Sequence, residues 1–299
     1  MWVILALASA ACFGVVTVID KRLLDHHLPG VSVLYLWIAL VLGFYSGLVV
    51  LLTGLPLDAP RDGLGMALAS GVAVGIGLAL MFAGLKLDEA TRAIAITQIN
   101  PVFVAFLAVF FLGETLVPTQ WGAIALVVLG TMLITLRNFP DRRLLLPTRG
   151  TPLLLGSALG LGVGFFAAKY ALQNLSIWSV FALQQLGVIL VFALFARPSV
   201  WRQLALVLRR RNSLLLLLLG EGVLPIIAII LGLAASDLGP ISLVAAVLGT
   251  RPLFVFIIST ILSTARWGLM EESLTRRALG LKLASIVLII AGMVALGSG

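Results

Sequence analysis

Long runs of apolar residues, interrupted at short intervals by charge, glycine and proline, set the reading of this 299-residue chain. Each run is about 18 to 24 residues long, enough for a helix rising 1.5 Å per residue to cross a hydrocarbon core of about 30 Å. Ten runs fit that length, at approximately Trp2–Asp20, Val31–Leu52, Asp62–Leu85, Ala90–Leu112, Thr119–Leu136, Thr151–Leu172, Trp178–Phe195, Ser213–Ala235, Pro240–Leu262 and Leu279–Leu296. They are solidly apolar rather than alternating, and lipid satisfies no backbone polar group, so helices are expected and a barrel is not. The expected fold class is therefore all-α, a polytopic membrane protein of ten transmembrane helices. The first run lacks a preceding basic region and a small-residue cleavage site, which marks it as a retained helix rather than a secretory signal.

The pattern repeats. The stretch from Gln98 to Leu116, QINPVFVAFLAVFFLGETL, has a counterpart beginning at Gly249, GTRPLFVFIISTIL, and Pro252 stands 151 residues after Pro101. Glu114-Thr115-Leu116 is matched by Glu272-Ser273-Leu274, and a closing apolar run with a glycine follows each, at Gly130 and Gly292. An internal repeat constrains a fold more than any single motif does. It divides the chain into a first five-helix unit at 1–137, a linker at 138–150 and a second five-helix unit at 151–299. An odd number of helices in each unit makes the second enter the membrane in the opposite sense from the first. Such inverted repeats underlie many secondary transporters, with the working site between the halves near mid-depth.

Composition agrees and excludes alternatives. Hydrophobic residues make up 61% of the chain and charged residues 11%, against about a quarter charged in a soluble domain. The net charge of +8 does not indicate nucleic acid, because the basic residues lie between apolar spans rather than on one face. Of the 20 Lys and Arg, only Arg61, Lys169 and Arg251 fall outside the odd-numbered connections and their flanks. The positive-inside rule then puts those connections in the cytoplasm and both termini outside. Cys12 is a lone thiol, which excludes an intrachain disulfide and a thiolate cluster. His26-His27 reads as an interfacial pair. No nucleophile motif, phosphate-cradling loop or metal-ligand cluster is present, so neither an enzyme nor a cofactor is expected.

The residues from Gln98 to Pro101 through Phe111-Leu112-Gly113-Glu114-Thr115-Leu116, with Trp121-Gly122 to Gly130, resemble the EamA-type domain of the drug/metabolite transporter superfamily in its ten-helix form. The resemblance covers both halves, the second more diverged, with Arg251 before Pro252 and a longer linker to Glu272. It implies an inner-membrane carrier, often an exporter of amino acids or other small metabolites, driven by proton coupling or exchange. It also implies a helical basket around a central cavity with cytoplasmic termini, whereas the charge pattern puts the termini outside.

Polar residues inside apolar spans are the candidate site, because an unpaired charge in hydrocarbon is costly and generally faces a cavity. Lys169, Glu221 and Arg251 lie within spans, joined by the amides Gln98, Asn100, Gln184 and Gln185. Gln98, Asn100, Lys169, Gln184 and Arg251 are the substrate-binding candidates. Lys169 lines a cavity or pairs with a carboxylate. Glu221 serves either as a reversibly protonated coupling group or as a fixed partner of Lys169 or Arg251. Arg251 offers a planar fork of donors suited to carboxylate oxygens. Proline at 101 and 252 is expected to open the helical ladder beside these groups. Glycines in the third and sixth runs allow close backbone approach, as static packing or as a sliding contact. The leading function is a secondary transporter of small polar metabolites, amino acids or organic acids, by alternating access; the alternative is a non-transporting assembly or lipid-handling partner. The partners expected are the lipid bilayer, a small-molecule substrate and protons, while the oligomeric state is not written in these residues.

Overall fold

The computed structural model describes residues 1–54, 56, 58–85, 87, 95–135, 148–264 and 276–297, and no strand occurs among them. The helices of the first half are α1 (Trp2–His26), α2 (Val31–Thr53), α3 (Arg61–Leu85), α4 (Asn100–Phe111) and α5 (Pro118–Thr135). In the second half, α6 (Thr151–Leu172) and α7 (Ile177–Ala193) are followed by α8 (Pro198–Leu208) and α9 (Arg211–Leu217). A π-helical turn, Leu218–Val223, joins α9 to α10 (Leu224–Leu238), and α11 (Ile241–Leu248), α12 (Arg251–Thr264) and α13 (Arg276–Gly297) complete the chain. Six stretches among the described residues are long and apolar enough to cross a membrane, and Ala95–Phe111, Pro118–Ile134 and Leu283–Ala295 are shorter apolar helices. The chain is thus a multi-pass helical membrane fold. Its outward residues are apolar, as in Leu51, Phe110, Leu194 and Val294.

Three features differ from the expectation. The first helix continues past Asp20 to His26. Leu23, on the added turn, is fully buried and packs with Leu34 and Leu217, which rewards the extension despite the charges around it. The connection at 197–212 is itself partly helical: α8 turns 112° away from α7. It buries Val200, Leu204 and Val207 along one stripe, as expected of a helix lying in the interface. Finally, the helical ladder opens as expected at the prolines, but just before each of them rather than after it. Pro101 and Pro252 each occupy the second position of a new half-helix, where the missing N–H would have had no intrahelical partner. The breaks fall just before them, at 98–99 and 249–250. Glu272-Ser273-Leu274 and most of the linker lie outside the described residues.

Lipid tails attract leucine as well as another helix does, so close packing here relies on small residues. Helix α3 packs on both α6 and α7, α1 on α10, α5 on α13 and α4 on α11. At the α3–α7 crossing a methyl group on Gly71 would collide with the Gln184 carbonyl, and one on Gly187 with the Leu68 carbonyl. At the α3–α6 crossing a Cβ on Gly160 would lie 3.2 Å from the Gly77 Cα. Two contacts occupy matching sequence positions: Gly14 of α1 lies on Phe254 of α12, and Gly162 of α6 lies on Phe103 of α4.

Candidate functional site

The first group of buried polar residues gathers around Arg251 where α12 begins. Helical spacing puts Phe13, Thr17 and Asp20 on one face of α1. Arg251 Nε donates to Thr17 Oγ1 at 2.7 Å, and its guanidinium lies 5.2 Å from the centre of the Phe13 ring. The Thr17 hydroxyl in turn donates to the Phe13 carbonyl at 2.7 Å, so it accepts from the arginine without conflict. Glu221 enters from the π-helical turn and is 8% exposed. Its carboxyl hydrogen-bonds that of Asp20, and Arg251 is near enough to act electrostatically on both. Asp20 Oδ1 is sealed from solvent and has no hydrogen-bond partner.

The π-helical turn has local causes. Gly220 and Gly222 flank Glu221 and make a widened turn cheap, and Pro225 removes a donor just beyond it. The Leu224 N–H reaches back to the Leu219 carbonyl, five residues away. Gly220 also lets α1 come close, since a Cβ there would stand 2.5 Å from Ile19 Cγ2. Isolated π turns of this kind recur at working sites.

The second group surrounds the two helix breaks. Gly249 lies against the ring of Pro101, a Cβ on it being 3.2 Å from Pro101 Cγ, so the break before α12 meets the start of α4. Gln98 and Asn100, at the first break, are partly exposed, and their side chains show no partner among the described residues.

The remaining predicted residues are engaged elsewhere. Lys169 is not the partner of Glu221. Its ammonium donates to the carbonyls of Ser236 at 2.6 Å, Gly239 at 3.0 Å and Asp237 at 3.4 Å, the unpaired carbonyls at the end of α10. A cation at a helix C-terminus satisfies those carbonyls and the helix dipole together. Among the described residues, the acids acting on Lys169 are Glu114 and Asp237. Gln184 is buried between α7, α3 and α6. Its Nε2 donates to Ser70 Oγ at 2.7 Å, Ser70 donates to the Gly164 carbonyl at 2.9 Å, and Gln185 Nε2 donates to the Gln184 oxygen at 3.3 Å.

Sequence reasoning missed Asp20, Thr17 and the role of Glu114. Gly113, at φ +68°, ends α4 in the left-handed conformation and turns the chain. Glu114 then accepts from the backbone N–H of Ile241 at 2.6 Å and of Ser242 at 3.2 Å, and from the Ser242 hydroxyl. It therefore caps the N-terminus of α11 in the other half of the chain. With Lys169, it holds both helix ends flanking Gly239-Pro240. The signal for Thr17 and Asp20 was the spacing from Phe13.

Residues 1–136 match the EamA-like transporter family. The chain is 33% identical over 138 residues to "Uncharacterized transporter YwfM" of Bacillus subtilis (strain 168), across 44% of this chain and 45% of that protein. It thus aligns with less than half the length of that relative. It is 28% identical over 138 residues to "Uncharacterized protein MJ1333.1" of Methanocaldococcus jannaschii, across 46% of this chain and 97% of that protein. A solved crystal structure superposes with a TM-score of 0.68 at 17% identity, over 99% of this chain and 96% of the other, which shows a shared fold. Over α1 to α5 the chain is therefore similar to the EamA-like transporter family.

Proposed function

We propose that the protein is a secondary transporter of small polar metabolites bearing a carboxylate, amino acids or organic acids, working by alternating access between two inverted halves in the cell's inner membrane. One observation carries this reading: the two broken helices touch at their breaks, Gly249 against Pro101. Asn100 and Arg251, 151 residues apart, then begin α4 and α12 at equivalent positions in the repeat. Discontinuous helices crossing between inverted halves are the usual setting of a transporter's binding site, and their N-terminal ends favour anions. The matched contacts of Gly14 with Phe254 and Gly162 with Phe103 support the repeat, with division near 137 and 151.

In this reading Arg251 receives the substrate carboxylate. Its Nε is committed to Thr17, and its two terminal nitrogens have no partner among the described residues, leaving their paired donors for a second carboxylate. Gln98 and Asn100 supply neutral donors and acceptors at the facing break. Gln184 and Lys169 hold the surrounding helices.

The test is uptake into proteoliposomes of a panel of radiolabelled amino and organic acids, with and without an imposed pH gradient. Accumulation or exchange of at least one carboxylate is expected, with Arg251→Lys weakening it on the order of tenfold by removing the fork. Failure of every carboxylate to enter or exchange, with purified protein correctly inserted, would refute the reading.

A further inference from the structure

A coupling role for Asp20 and Glu221 rests on the transporter reading; their chemistry does not. We infer that Asp20 and Glu221 form one proton-binding dyad, a carboxyl from each half of the chain, with Arg251 as its counter-charge. Two ionised carboxylates offer only acceptors and cannot hydrogen-bond one another. The Asp20–Glu221 contact therefore contains a proton.

The charge balance of the pocket agrees. Among the described residues, the groups acting on Asp20 are Glu221 and Arg251, and those acting on Glu221 are Asp20 and Arg251. With one proton, the dyad carries a single negative charge that the guanidinium cancels. With none, a net negative charge is left where little water can solvate it, and with two, a net positive one. Single protonation is thus the neutral state of a dry site, and the proton belongs to the pair rather than to either residue. The sealed Asp20 Oδ1, which has no donor, is an oxygen that a second proton can occupy without displacing a protein partner.

The placement of the two carboxyls gives the proton a use. Asp20 rides on α1 and Glu221 on the π-helical turn before α10, two elements from opposite halves pressed together at Ile19 and Gly220. A movement of one half against the other changes the separation of the carboxyls. Once apart, they no longer share a proton. The number of protons held then depends on which state the halves adopt, which is the requirement for coupling transport to a proton gradient. A substrate carboxylate at Arg251 would withdraw the counter-charge and favour uptake of a second proton from water, so anion and proton travel together.

Infrared spectroscopy of the full-length protein in lipid nanodiscs tests the dyad without any substrate. At neutral pH the unmodified protein is expected to show a protonated carboxyl stretch that shifts in heavy water. Asp20→Asn and Glu221→Gln, both close in shape to the residues they replace, should each abolish it. Carboxyl-¹³C labelling removes any dependence on the variants folding: labelled aspartate alone and labelled glutamate alone should each shift the band of the unmodified protein. Absence of the band, its persistence in either folded variant, or its response to only one label overturns the dyad. Any of these can occur in a protein that still transports carboxylates, and the dyad can exist in one that does not, so the two conclusions fail separately.

Discussion

Arg251 and Thr17, 234 positions apart, are joined across the chain's two halves by a single hydrogen bond, Nε to Oγ1 at 2.7 Å. The bond fixes the guanidinium at the head of α12 while its other end stacks on Phe13. Thr17→Val keeps the shape and removes the acceptor, stranding a charged donor at a cost of about 1 to 3 kcal/mol. A lowered melting temperature in detergent is expected, with Thr17→Ser close to the unmodified protein. Equal melting temperatures for Val and Thr would show that Arg251 is held by something else.

The α3–α7 crossing leaves no room for one methyl group. Gly71→Ala would drive a Cβ into the Gln184 carbonyl, and because that atom is backbone, the helices must separate. Overpacking of this kind costs about 1 to 3 kcal/mol, with loss of the Gln184–Ser70 bond added to it. Gly65→Ala, with nothing within 4 Å, is the control and should be neutral or slightly stabilising. Size-exclusion profiles and melting temperatures measured side by side decide it; a Gly71→Ala protein as stable as Gly65→Ala contradicts the crossing.

Much of this arrangement could be read in advance, and the misses share a cause. Glu221 and Arg251 stood out as charges inside apolar runs, and their neighbourhood in the structure follows from that isolation. Asp20 did not stand out, because Lys21 and Arg22 beside it suggested a helix end at the water surface. Helix α1 in fact continues to His26 and carries Asp20 inward. Lys169 was visible as a deep cation, but its partners are main-chain carbonyls, which have no signature in a sequence. The prolines marked the breaks to within a few residues. Nothing marked the π-helical turn, since Gly220, Gly222 and Pro225 permit it without requiring it.

Glu114 and Ser242 provide a measurable bond between the halves. Loss of an N-terminal cap costs about 0.5 to 2 kcal/mol. Glu114→Gln should lose part of that and Ser242→Ala a smaller part. The double variant should lose less than the two effects added, because both remove the same carboxylate–hydroxyl contact. Strict additivity in thermal unfolding would count against a direct bond.

His27 lies beyond the membrane-spanning part of α1, with Nδ1 3.0 Å from Ser213 Oγ. Burial holds its pKa below the ordinary 6.5, helped by Arg22, His26 and Arg210. The unfolded chain therefore takes up this proton more readily than the folded one, and stability falls as pH drops through about 6.5. The effect is modest because much of the ring is near solvent. His27→Gln should flatten the fall in melting temperature between about pH 7.5 and 5.5; an unchanged slope would assign the acid sensitivity to other groups.

The orientation that the basic residues predict can be checked directly. Arg209, Arg210 and Arg211 stand after α8, in an odd-numbered connection expected to face the cytoplasm. A reporter active only in the cytoplasm, fused after Gly299, should then be silent, and one fused within that connection active. The reverse pattern would mean that the family's usual orientation overrides the charge distribution.

The cap on α11 also has a consequence in time. Glu114 leaves the ribosome 127 residues before its partner Ile241. At about 5 to 20 residues per second, that is a wait of about 6 to 25 seconds. Throughout it, the first four helices are already made and the carboxylate that follows them lacks the Ile241 and Ser242 donors it binds in the complete fold. The newly inserted half must persist in the bilayer, with water or another protein standing in at Glu114, until the second half arrives to complete it.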